Sequence, residues 1–353
     1  MKNKRVELEL YTPDGWLNME GVAALPVWLI VVVGARQVGK TYGTLKHVLD
    51  ANRYTLYLRR TREELEAIEK TDDLNPFIPL RDEGYNIDIV SASSNTWIWG
   101  DVDEESERKK IVNPRGIGIP LNYIAKMRGF NGSRFTDMIL DEFIPEQCVR
   151  RLKGEADTIL NLYTTVAGNR EIKGQPPLRF WLMANSFNIN DPVLEAYGLV
   201  EDFEKLQRSG KEWKILPGGV FIALPHSEKI IQKRAMTAQN AFLRRKGAGG
   251  KFLEMSLENK FSYNKSDLIK PKAITGYKPF CRIGDLYIYE NGSSAYACRS
   301  PHRARLVFPD TPEGRIKAGV QCVELRVLYN GGYLTFDSVS SLEFFRRFFG
   351  IKT

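Results

Sequence analysis

The chain has 353 residues, 43% of them apolar and 27% charged, with a formal charge of +8. That balance excludes wholesale disorder and leaves room for two modest domains, or one large domain with an appendage. The longest apolar run, Leu25 to Val33, is too short to span a bilayer, and Met1-Lys2-Asn3-Lys4-Arg5 does not open like a signal peptide, so neither a membrane nor export is expected. The positive excess suits a polyanionic partner, although charge alone favours nucleic acid only slightly. Cys148, Cys281, Cys298 and Cys322 show no C-x-x-C spacing, and His47, His226 and His302 stand alone. Reduced thiols in a cytoplasm are therefore expected in place of a zinc site.

Residues 1–26 alternate weakly and read as a lead-in that packs on the domain without chemistry of its own. Val27 to Val33 is β-branched and almost continuously apolar, as a parallel strand covered on both faces should be. It delivers Gly34-Ala35-Arg36-Gln37-Val38-Gly39-Lys40-Thr41, which fits the phosphate-loop pattern G-x-x-x-x-G-K-S/T. The glycines let backbone N–H groups turn onto phosphate oxygens, and the helix from Thr41 to Asp50 points its positive end the same way. Lys40 is expected to hold the β and γ phosphates of ATP, and Thr41 to give its hydroxyl to Mg2+. The bare pattern arises by chance in on the order of 1% of chains this long. The strand before it and the helix after it weigh further against a plain Gly-rich turn.

Tyr54 to Arg59 reads as a second strand, followed by Arg60, Thr61 and Arg62 and a helix from Glu63 to Lys70. Asn86 to Val90 and Thr96 to Trp99 suggest an inserted hairpin, and Asp101 to Glu105 an exposed acidic loop. After a short strand at Ile117 to Leu121 and a short helix at Asn122 to Met127 comes Met138-Ile139-Leu140-Asp141-Glu142-Phe143. An apolar triplet ending in two carboxylates has the pattern of a Walker B strand. Asp141 would hold a magnesium-bound water and Glu142 would polarise the attacking water. Glu155 to Val166 is a helix, and Leu178 to Ala184 a strand ending at Asn185, which either senses the γ-phosphate or is a turn asparagine. Gly219 to Pro225 closes the strand series, giving a parallel, doubly wound sheet. Ser227 to Lys246 reads as a basic amphipathic helix broken by Gly247-Ala248-Gly249-Gly250. From about Asp267 the pattern changes to short alternating strands, including Tyr287 to Tyr289, Val323 to Val327 and Tyr333 to Phe336, then a helix around Leu342 to Phe349. The expected division is a P-loop ATPase domain over 1–226, a helical linker over 227–266 and a small α+β domain over 267–353.

Asn264-Lys265-Ser266-Asp267 matches the N-K-x-D base-reading signature of guanine-nucleotide proteins literally, but it follows a polar segment and has no D-x-x-G companion. A nucleotide kinase would take its attacking group from a substrate hydroxyl. An acid directly after the Walker B aspartate points instead to water, hence to a motor-type ATPase. A DNA-binding module with a silent nucleotide site is the third reading.

The phosphate loop, Tyr57-Leu58-Arg59-Arg60, Leu140 to Phe143, Asn169-Arg170-Glu171, the strand ending at Asn185, Glu254 to Asn259 and Gly332 to Asp337 together resemble the DNA-packaging ATPases of phi29-like bacteriophages. They occur in the family's order over most of the chain. The resemblance implies an additional-strand, catalytic-glutamate P-loop fold. It implies a ring, expected as a pentamer, seated on the portal of a procapsid in the host cytoplasm and driving double-stranded DNA inward with ATP. It also implies a C-terminal domain derived from a ribonuclease-H-like nuclease, and in some relatives docking through a packaging RNA. Asp285, Glu290, Asp310, Glu324 and Asp337 form no cluster by spacing, so nuclease activity is not expected. Gly168 stands where the trans-acting arginine finger aligns; Arg170 is the nearest arginine, with Arg128, Arg150 and Arg151 as competitors. Basic residues near Arg62 and Arg128 match positive positions of the family, which implies contact with DNA or between subunits.

Overall fold

The structure, a computed structural model, describes residues 7–93, 95–103, 110–124, 132–145, 152, 154–185, 191–238, 268–292, 294–301 and 303–351. The chain divides into two compact units, Met1–Leu199 with Lys205–Ser262, and Val200–Glu204 with Tyr263–Thr353.

The first unit is built on a nine-stranded sheet: β1 (Leu29–Gly34), β2 (Thr55–Arg59), β3 (Ile87–Ser93), β4 (Thr96–Val102), β5 (Ile111–Pro120), β6 (Asp137–Asp141), β7 (Arg179–Asn185), β8 (Trp213–Leu216) and β9 (Val220–Ala223). Their spatial order is β3-β4-β5-β2-β6-β7-β1-β9-β8. The six strands from β5 to β9 in that order run parallel, and β3, β4 and β8 are antiparallel additions at the edges. The expected parallel sheet is thus the centre of a mixed one. β7 lies between β1 and β6, the additional strand of the expected P-loop fold. All six residues of β1 are buried, which explains its unbroken apolar run: each face is covered and both edges are paired.

The hairpin of β3 and β4 reaches the sheet through β5. Trp97 is fully buried and lies flat on Gly118, where an added Cβ would meet its ring at 2.2 Å. Helices Lys40–Asp50, Arg62–Lys70 and Glu155–Ala167 follow β1, β2 and β6. The last buries Ile159, Leu162 and Val166 at helical spacing. Strand β8 and the helices Pro192–Ala196 and Val200–Arg208 had no counterpart in the sequence reading.

The expected helix from Ser227 ends sooner. Helix Glu228–Ala235 gives way to a turn at Met236 and a bend at Thr237, whose hydroxyl donates to the Arg234 carbonyl at 2.8 Å, a local bond that competes with the next helical turn. Residues 239–267, including the Gly247–Gly250 break, lie outside the described residues.

The second unit has a five-stranded sheet of β10 (Lys278–Ile283), β11 (Leu286–Asn291), β12 (Ser294–Cys298), β13 (Leu306–Phe308) and β14 (Leu334–Phe336), in the order β13-β10-β11-β12-β14. Helices Pro312–Gln321, Val323–Asn330 and Val339–Phe349 complete it around Ile283, Ile288, Phe336, Leu342 and Phe345. The strand expected at Val323 to Val327 is a helix. Val323, Leu325 and Val327 alternate in sequence, but Leu325 and Tyr329 are buried four apart while Val323 and Val327 face solvent.

Candidate nucleotide site

The parallel register brings three strand ends together at one edge of the sheet. Gly34 at the end of β1 is opposite Asn185 at the end of β7, and Asp141 at the end of β6 is opposite Met183. This is the edge at which open α/β sheets bind ligands, outside the carboxyl ends of the strands. The loop after β1 turns through Gln37 at φ 57° and Gly39 at φ 89°, and Gly39 caps helix Lys40–Asp50. A left-handed cap leaves the first helical N–H groups without a side-chain acceptor, as an anion site at a helix start requires.

Lys40 is buried, and its ammonium donates to the carbonyls of Ala35 at 2.7 Å and Gly34 at 3.2 Å and to Asn185 Oδ1 at 3.3 Å. Burial pushes its pKa down to about 8, against the opposite pull of Asp141 and Glu142, while Arg36 and Arg234 add to the lowering. A lysine held this way gains from an anion beside it.

Thr41 donates its hydroxyl to Asp141 Oδ2 at 2.9 Å, and Tyr57 reaches the same oxygen at 3.5 Å. Two hard oxygen donors converge there, from the loop and from the Walker B strand, and they suit Mg2+. Burial, chiefly, raises the Tyr57 pKa, so it stays a neutral donor. Glu142 follows in a left-handed conformation at φ 57°, its N–H donating to Asp141 Oδ1 at 3.1 Å. Few residues adopt that region without compensation, and here it turns the side chain away from the strand into solvent.

Arg59, last in β2, donates to Glu142 Oε2 at 3.2 Å. Burial works against the Arg59 charge, but Tyr57, Asp141, Glu142 and Glu64 around it more than offset this and raise its pKa. Arg60 points the other way into the interior, where Glu155 accepts from its Nε at 2.6 Å and its Nη2 at 3.2 Å.

Lys40, Thr41, Asp141, Glu142 and Asn185 therefore come together as the motifs predicted. Ala35, Arg36 and Val38 also act through their carbonyls, which accept from Lys40, Arg234 and Leu17 respectively. Arg170 lies elsewhere. Its Nη1 donates to the Phe135 carbonyl at 2.7 Å, just before β6 begins, at the opposite end of that strand from Asp141. Arg62 opens helix Arg62–Lys70 and pairs with Glu66. Arg128, Arg150 and Arg151 lie outside the described residues. Arg234 at the site was read only as the charged face of a helix, and the lead-in that touches the loop through Leu17 was assigned no chemistry. No local pattern signals either, because both contacts join segments far apart in the chain.

A family model described as Podovirus DNA encapsidation protein (Gp16) matches residues 11–274. The chain belongs to that family. Within it, the chain is 28% identical over 246 residues to the DNA packaging protein of Bacillus phage B103, a match covering 68% of this chain and 66% of that protein. The match thus spans just under two thirds of that relative's length. Among solved structures, the bacteriophage Phi-29 viral genome packaging motor assembly superposes with a TM-score of 0.63 at 19% identity, covering 96% of this chain and 99% of that one. The Phi-28 gp11 DNA packaging motor superposes with a TM-score of 0.53 at 15% identity, covering 98% and 100%. At such identities the likeness is one of fold.

Proposed function

We propose that the chain is an ATP-hydrolysing motor that moves double-stranded DNA into a viral procapsid, working in the host cytoplasm as a ring of copies, a pentamer, on the portal. The observation that carries this reading is the meeting of Lys40, Asn185 and the Thr41–Asp141 pair at one sheet edge, with an acid placed one residue beyond, in a member of a DNA encapsidation family.

The roles follow from the geometry. The loop N–H groups from Ala35 to Thr41 and the Lys40 ammonium bind the triphosphate. Thr41 and Asp141 would hold Mg2+, which when bound offsets charge on the phosphate oxygens. Glu142 takes a proton from the attacking water once it leaves Arg59, and Asn185, bonded to Lys40, reports whether a γ-phosphate is present. Arg170, remote from its own site, serves the neighbouring subunit as the arginine finger. Arg62 and Arg128 contact DNA or the adjacent subunit, and a packaging RNA is a further candidate partner. Residues 1–226 act as the ATPase domain, 227–266 as the linker, and 267–353 as a ribonuclease-H-like remnant without nuclease activity. In that last region Asp285 is exposed beside Arg282, and Asp310 pairs with Arg315.

The test is ATP turnover with and without duplex DNA of arbitrary sequence, paired with images of the assembly. Stimulation by DNA that weakens steeply with salt, because contacts to phosphates dominate, together with rings in the images, is the expected result. Turnover that needs a small acceptor molecule in place of DNA would make the chain a kinase.

A further inference from the structure

The phosphate loop is clasped on its outer side by two segments distant in sequence. Leu17 donates its N–H to the Val38 carbonyl at 3.0 Å, and Trp16 lies against Gly39, where an added Cβ would meet it at 3.7 Å. Helix Glu228–Ala235 grips this lead-in from behind. Ser227 Oγ donates to the Gly15 carbonyl at 2.6 Å, Lys229 to that of Pro13 at 2.7 Å and Lys233 to that of Asp14 at 3.3 Å. So fixed, the helix carries Arg234 to the loop itself, where its Nη1 donates to the Arg36 carbonyl at 2.9 Å.

Three cations therefore gather at one loop: Arg36, Lys40 and Arg234. The two acids of this sheet edge are engaged elsewhere, Asp141 with Thr41 and Glu142 with Arg59. Burial and the nearby Arg36 charge both disfavour the charged form of Arg234. Like charges crowded in a half-buried place destabilise one another, and an anion among them removes that cost. The Arg36 carbonyl is one peptide away from N–H groups of the phosphate loop, which puts the guanidinium beside the phosphate position.

We infer that Arg234 is a third cation of the phosphate site, supplied by the same chain, that contacts the outer phosphate oxygens of a bound nucleoside triphosphate. The inference rests on the ATP-binding reading above. It gives helix Glu228–Ala235 a direct stake in whether the loop is filled.

Equilibrium binding of ATP with Mg2+ to the full chain tests it, with inorganic tripolyphosphate as competitor and with Arg234→Gln and Arg234→Lys as variants. Glutamine keeps a donor for the Arg36 carbonyl but loses the charge; lysine keeps the charge. A charge-assisted phosphate contact is worth about ten- to a hundred-fold in affinity, so Arg234→Gln should weaken both ATP and tripolyphosphate by that factor. Arg234→Lys should recover most of the loss, and the dependence of binding on salt should become shallower in Arg234→Gln alone. If Arg234→Gln binds both as the wild type does, or if lysine fails as badly as glutamine, Arg234 is only a pin for the loop and the inference falls. A wild-type chain that binds neither ligand would overturn the ATP-binding reading itself, a separate outcome. Should Arg234→Gln not fold, Arg234→Lys still decides: near-normal affinity supports the charge, and a loss of tenfold or more refutes it.

Discussion

Glu142 is held away from catalysis by Arg59, and replacing Arg59 with alanine should release it. The two side chains meet at 3.2 Å. Coulomb's law puts such a pair at about 1 kcal/mol in water and about 5 kcal/mol at an effective dielectric constant near 20. The Glu142 side chain is 56% exposed against 14% for Arg59, so solvent screens the acid and the lower end applies, about 0.5–1 kcal/mol net. That corresponds to a change of about two- to five-fold in the population of free Glu142. If the acid must leave Arg59 to reach the attacking water, Arg59→Ala should raise ATP turnover without DNA by that factor and shrink the stimulation that DNA provides. Steady-state phosphate release with and without duplex DNA measures both. In a Glu142→Gln background the Arg59 substitution should change nothing further. A fall in turnover as deep as that of Glu142→Gln would refute the reasoning, because Arg59 would then be contacting phosphate rather than restraining the acid.

Three further outcomes are expected. Glu142→Gln should bind ATP with Mg2+ yet hydrolyse it about 10²- to 10⁴-fold more slowly, and near-normal turnover would remove the role given to that acid. Arg60→Met strands Glu155, which with Arg60 is almost fully buried, and should cost about 3–5 kcal/mol, read as a melting temperature lower by about 6–20 °C; a second change, Glu155→Leu, should recover most of it. Arg170→Ala should bind ATP but turn over about 10³- to 10⁵-fold more slowly, and mixing it with Lys40→Ala should restore part of the activity by pairing an intact Lys40 site with an intact Arg170. A fully active Arg170→Ala would move the finger to another residue.

Much of the site was legible in the sequence because its parts obey local rules. A buried parallel strand must be apolar throughout, as Leu29 to Gly34 is. A phosphate loop needs glycine where the backbone enters the left-handed region, as at Gly39. A Walker B strand must end in acids where its neighbours also end, which the register of Asp141 with Met183 and of Gly34 with Asn185 bears out. Periodicity misled where two periods fit the same residues: Val323, Leu325 and Val327 alternate as a strand would, and only the packing of Leu325 and Tyr329 against the core selects the helix. The pairings that tune the chemistry belong to the tertiary structure alone. Arg59 meets Glu142, Arg60 meets Glu155, and Arg234 meets the Arg36 carbonyl across separations of 83, 95 and 198 residues. Composition and spacing identify each as a charged residue at the end of an element. Which charge faces which depends on strand order, and strand order is set by the burial of whole faces rather than by any residue that a local pattern can single out.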